Sequence, residues 1–195
     1  MDEKIVTNKI RNITISGKVA CGTTTLFNKL KDILKPKGWK FFSGGEFMRE
    51  YAVSHNLFPK NSKNHHAATV YPDEFDKEVD AMMRKRLEEE SNLLIESDLA
   101  GFNAQGIPGV YKILLDCSDD AVRIDRLVNR DKITVTEAKE HLIQREAENV
   151  AKWKRLYGDH NFWDPKYYDL VIDTYKNGPT ETLNLALEAI GHTKR

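Results

Sequence analysis

The chain has 195 residues, 40% of them hydrophobic and 31% charged, and its 30 basic and 30 acidic side chains cancel to a net charge of zero. This fits one domain, 1–195, with a single core, and the lack of a basic excess argues against a nucleic-acid polymer as partner, because nothing drives counterion release. No apolar run approaches the roughly 18 residues of a membrane span and the polar start at 1–11 carries no hydrophobic leader, so the expectation is a cytoplasmic protein without a membrane partner, monomer or homodimer.

Residues 12–16 are short and β-branched, the character of a buried strand, and Leu26, Leu30, Ile33 and Leu34 then recur at helical spacing. Between them lie Gly17, Lys18, Val19, Ala20, Cys21, Gly22, Thr23, Thr24 and Thr25. Two glycines separated by four residues match a Walker A phosphate loop, except that Thr23 stands where the pattern has lysine. Such a loop, followed by a helix N-terminus, turns backbone N–H groups toward an anion, and the Thr24 hydroxyl is suited to Mg²⁺. An ordinary strand-to-helix turn capped by Thr23 is the competing reading.

Residues 39–42 read as a second strand, ended by Ser43, Gly44 and Gly45, after which Phe47, Met48, Tyr51 and Ala52 predict a helix. The irregular stretch 56–70 reads as a surface loop, and its adjacent His65 and His66 lack the spacing of metal ligands on one helix face. A charged helix over 73–90 places Phe75, Val79, Met82, Met83 and Leu87 on one face. A strand over 92–96 follows, with Glu96 and Asp98 at its C-terminal end.

The fourth strand spans 111–115, and Ser118 or Asp119 caps a helix that runs to about Asn129. Thr134 to Glu137 opens a further helix to about Tyr157, polar enough to bridge solvent. The last strand, 170–173, and a closing helix over 180–190 complete an alternation that implies a parallel sheet wrapped by helices. Cys21 and Cys117 have no spacing that suggests a disulfide framework or zinc site.

In a parallel sheet the strand ends at Gly17, Ser43, Glu96 and Asp116 gather around one cleft, where such folds bind ligands. Arg123, Arg126 and Arg130 recur on one helix face and Arg145 opens a second group, supplying the cations that phosphoryl transfer needs. A solvated face laced with salt bridges to Asp119, Asp120 and Asp125 is the alternative for these arginines.

From 13 to 190 the chain resembles archaeal-type cytidylate kinases of the P-loop nucleoside monophosphate kinase superfamily. The resemblance rests on several blocks: the loop 17–25; Ser43 to Glu50; Phe75-Asp76 with Val79-Asp80; Leu94 to Gly101; the arginine helices; and 168–174. It implies a three-layer α/β P-loop NTPase fold built on a five-stranded parallel sheet, with an NMP-binding insert at about 44–91 and a lid at about 123–158.

It further implies an ATP-dependent phosphotransferase that converts (d)CMP to (d)CDP with Mg²⁺ as cofactor and small nucleotides as its partners. On this resemblance Lys18, Arg123, Arg126, Arg130, Arg145 and Lys152 are catalytic, 17–25 binds the donor, and Thr24 and Glu96 serve the metal. Ser43, Gly45, Arg49, Asp76, Asp80 and Asp98 line the acceptor side, Arg49 gripping the phosphate and Asp76 and Asp80 reading the base. Lys18 is expected to supply part of the charge missing at Thr23. Lys152 stands where the family carries arginine. At 97–98 Ser and Asp replace the family's Gly and Arg, which reverses a charge. Two rival readings are a P-loop kinase for another small acceptor and a degenerate, nucleotide-binding regulatory protein.

Overall fold

The computed structural model describes residues 10–55, 57 and 70–192. The readings of the polar start over 1–9 and of the irregular stretch with His65 and His66 lie outside the described residues. Five strands, β1 (Asn12–Gly17), β2 (Lys40–Ser43), β3 (Leu93–Glu96), β4 (Val110–Asp116) and β5 (Leu170–Asp173), form one parallel sheet in the order β2-β3-β1-β4-β5.

Every residue of the central strand β1 is buried. A parallel strand covered on both faces needs such a continuous run, rather than the alternation of a half-exposed one. Asn12, its one amide, is fully matched: Nδ2 donates to the carbonyls of Leu87 and Glu90, both at 2.9 Å, and Oδ1 accepts from the Leu93 N–H at 3.0 Å. The buried polar group therefore fixes where β3 starts against β1.

Helices cover both faces. On one, α1 (Thr23–Leu34) sets Leu26, Phe27, Leu30 and Leu34 against Ile13, Ile15, Leu94, Ile113 and Leu115, beside Leu187 of α7 (Pro179–Ala189). On the other, Val79, Met83 and Leu87 of α3 (Asp73–Glu89) meet Leu93, Ile95 and the short helix α4 (Ala100–Asn103). Leu93 and Ile95 face one layer and Leu94 the other, the two-residue period of a strand.

α2 (Gly44–Ser54) starts directly at the end of β2, where the Ser43 hydroxyl accepts from the Glu46 N–H. α5 (Asp120–Asp131) is capped by Asp119, not Ser118, and α6 (Val135–Tyr157) opens on a capping box between Thr134 and Glu137. α6 departs from the solvent-bridging reading: Ala138, Leu142, Asn149, Lys152 and Trp153 are buried along it. Its inward polar residues Asn149 and Lys152 are buried, Lys152 meeting Asp76 of α3, while Lys139, Glu140, Gln144, Lys154 and Arg155 are exposed. The sequence also gave no sign of α4, which is a single turn.

Candidate active site

The register sets Ser43 beside Glu96, Glu96 beside Ile15 and Gly17 beside Leu115, so the C-terminal ends of β1, β2, β3 and β4 open on one side of the sheet. A cleft of about 380 Å³ lies there, walled by the loop after β1, the start of α2, α3, the segment after β3 and α6.

The loop after β1 depends on glycine at two places. A Cβ on Gly17 would sit 2.6 Å from the Leu115 carbonyl oxygen, and Gly22 holds φ +92° at the N-terminus of α1. Lys18, Val19, Ala20, Thr23 and Thr24 line the cleft; Gly17, Cys21 and Gly22 of the loop and Thr25 of α1 do not. Cys21 in particular turns into the core, and burial pushes its thiol up to about 12, so it is inert.

Glu96 is the buried hub of the site. One carboxylate oxygen accepts from the Thr23 hydroxyl at 2.8 Å and the Thr24 hydroxyl at 3.3 Å, and the other accepts from Ser43 at 2.8 Å. This joins three strand ends through one acid. The donor set is all oxygen, carboxylate and hydroxyls, which suits a hard cation such as Mg²⁺ that keeps most of its ligands as water and phosphate.

The cations divide into two sets. Lys18, Arg49, Arg130 and Arg145 line the cleft. Lys18 pairs with Asp116 at 3.2 Å and lies 5.9 Å from the centre of the Trp163 ring, which fixes it at the mouth of the loop. Arg130 is paired in plane with Asp131, and Arg145 lies 3.8 Å from Asp98 while its Nε has no hydrogen-bond partner among the described residues. Burial pushes the Asp98 carboxyl up and the Glu96 charge adds to this, against the opposing pull of Arg145.

Arg123, Arg126 and Lys152, expected to be catalytic, do not line the cleft. Arg123 is buried, donates to the Val19 carbonyl at 2.9 Å and is matched by Asp120 and Glu146. Arg126 donates to the Ala20 carbonyl at 3.0 Å and to Thr174. Both hold the phosphate loop from behind.

Lys152, also buried, donates to Asp76 at 2.5 Å and to the Tyr71 carbonyl at 2.7 Å. Ser43, Gly45, Arg49, Asp76, Asp80 and Asp98 all line the cleft. Asp76 Oδ1 has no partner among the described residues, since Lys152 holds only the other oxygen. Asp80 accepts from the Tyr157 hydroxyl at 2.5 Å, and burial pushes its carboxyl up to about 6.

Sequence reasoning missed Tyr71, Asn149, Trp153 and Tyr157. A signal existed for two of them: Arg145, Asn149 and Trp153 recur every fourth residue of α6 and all line the cleft.

The sequence profile of the cytidylate kinase-like family matches residues 12–176. The cytidylate kinase of Pyrococcus furiosus is 36% identical over 183 residues, covering 92% of this chain and 88% of that one. The cytidylate kinase of Methanosarcina acetivorans is 30% identical over 179 residues, covering 91% and 95%. Among solved structures, a gluconokinase from Sinorhizobium meliloti has a TM-score of 0.56 at 12% identity, covering 94% and 93% of the two chains. A shikimate kinase from Acinetobacter baumannii, in complex with shikimate, has a TM-score of 0.55 at 13% identity, covering 94% of each. At such identities the likeness carries the fold alone, and that fold is the three-layer P-loop architecture expected from the sequence.

Proposed function

Because the chain belongs to the cytidylate kinase-like family, we propose that it transfers the γ-phosphate of ATP to CMP or dCMP, giving ADP and the cytidine diphosphate. The observation that carries this reading is one cleft holding two kinds of recognition. At one end are the phosphate loop and the Glu96 hydroxyl cluster; at the other are Arg49, Asp76 and Asp80. In this reading 44–91 is the acceptor segment and 123–158 the lid.

Thr24 and Glu96 would hold Mg²⁺, directly or through its waters. Bound there, the ion neutralises charge on the donor phosphates. The chain's own share is positioning and charge. The phosphate loop presents N–H groups, Lys18 contributes a compact cation, and Arg130 and Arg145 offer guanidinium groups to a group that is anionic throughout its transfer. Arg49 grips the acceptor phosphate, so that its attacking oxygen lies in line with the γ-phosphate. The two carboxylates of α3 suit a base edge that donates hydrogen bonds, such as the cytosine amino group, and disfavour the carbonyl that uracil carries there.

A second reading, transfer to another small acceptor, is favoured only by Asp98, whose charge faces Arg145 within the cleft. Steady-state assays with ATP, Mg²⁺ and a panel of CMP, dCMP, UMP, AMP and small alcohols test both. We expect CMP or dCMP to be preferred by kcat/KM, and Glu96→Gln to lower kcat by about 100-fold or more. Preference for a non-nucleotide alcohol would replace the first reading by the second.

A further inference from the structure

The last turns of α6 touch α3 at three places. Lys152 meets Asp76, Arg155 donates to Asp73 at 3.0 and 2.7 Å, and the Tyr157 hydroxyl donates to Asp80 at 2.5 Å. The three contacts are not equivalent. Arg155 and Asp73 lie at the surface, where an ion pair contributes little. Asp76 and Asp80 line the cleft, four residues apart and therefore on one face of α3, and each has one oxygen engaged from α6.

We propose that Tyr157 is a positioning residue for acceptor specificity: its hydroxyl orients the Asp80 carboxylate so that Asp80 and Asp76 together receive the amino group of an acceptor base. The inference rests on the reading of Asp76 and Asp80 as base-reading groups and adds what sets their geometry. An amino group has two hydrogens to donate, and two carboxylates on one helix face supply two acceptors. Lys152 does for Asp76 what Tyr157 does for Asp80. Each donor holds one oxygen from α6; Asp76 Oδ1 is then without a partner among the described residues and is left for the ligand, while the Asn103 amide of α4 also lies by Asp80.

The charge state follows the same geometry. Burial pushes Asp80 up to about 6, and the charges of Asp76 on α3 and Asp98 after β3 add to that. The Tyr157 hydroxyl and the nearby Asn103 amide of α4 oppose it by favouring the ionised form. Asp80 is thus an acceptor at neutral pH and loses that role as the pH falls through about 6. Without the Tyr157 hydroxyl its protonation moves to higher pH.

Three variants, Tyr157→Phe, Asp80→Asn and the double variant, test this by CMP and UMP binding in calorimetry, kinetics from pH 5 to 8, and thermal melting. We expect Tyr157→Phe to raise KM for CMP about tenfold, more than it changes kcat or KM for ATP. The preference for CMP over UMP should shrink by a similar factor. The acid limb of kcat/KM should move upward by roughly half a unit or more; the substrate phosphate's own titration is common to all variants and cancels in the comparison. The double variant should discriminate no worse than Asp80→Asn alone.

A lower melting temperature with the CMP:UMP ratio and acid limb unmoved would make Tyr157 merely structural and overturn the proposal. An Asp80→Asn enzyme that still prefers CMP would instead remove the base-reading role, and the proposal with it. A wild-type protein that binds neither nucleotide would reject the kinase reading altogether. Should Tyr157→Phe fold poorly, the wild-type limb decides: CMP binding that does not weaken below about pH 6 contradicts the proposal.

Discussion

At the scale of single residues, the site is built on carboxylates held in different ways. Glu96 accepts from three hydroxyls, Asp76 is matched by an ammonium group, and the half-buried Asp80 accepts from a phenol. Asp80 has a consequence for stability. Its carboxyl titrates near 3.8 when unfolded and about 6 when folded, so the native state binds the extra proton between those values. Stability from this group is therefore greatest below about pH 4 and falls as pH rises through 6, where an ionised carboxylate must stay buried. Asp80→Asn should stabilise the protein by about 1–2 kcal/mol at pH 7.5 and by little at pH 4.5, measured as urea unfolding at both pH values. A stability difference independent of pH would contradict the assignment. The carboxylates themselves were legible in the sequence, because acids at strand ends and at four-residue spacing have a known geometry. Their partners were not: nothing in the local sequence tells that Tyr157 lies against Asp80, 77 positions earlier.

At the scale of elements, β1, β3 and the phosphate loop were readable because β-branched runs and paired glycines have few other uses. The arginine helix α5 was readable as a helix, but not which of its arginines reach the cleft. Periodicity places Arg123, Arg126 and Arg130 on one face, yet only Arg130 lines the cleft, because the loop carbonyls of Val19 and Ala20 take the other two. A helix face is a property of sequence; what lies opposite it is a property of the fold. Arg123→Ala removes the donor to Val19 and strands Glu146 in a half-buried site, and should cost about 2–4 kcal/mol in denaturant unfolding while raising KM for ATP. Unchanged stability would show that the buried network is dispensable. The packing side is tested by Leu30, fully buried between α1 and the sheet: Leu30→Ala should cost about 2–5 kcal/mol, and a loss below about 1 would contradict its place in the core.

At the scale of the whole molecule, the order β2-β3-β1-β4-β5 brings four strand ends to one cleft and lets α3 and α6, far apart in sequence, close it from two sides. Alternating strands and helices made the parallel sheet legible. The internal lining of α6 was hidden because a helix that buries Asn149 and Lys152 reads by composition as a solvated one. Inside the cleft an acid, Asp98, is set against Arg145 at 3.8 Å. The most direct test of the account is phosphorus NMR of a reaction containing ATP, Mg²⁺ and CMP, followed to completion. It predicts CDP and ADP appearing in equal amounts, and at a rate lower by about 100-fold or more when Glu96→Gln replaces the wild-type enzyme. ATP bound or hydrolysed without any phosphorylated acceptor would contradict it.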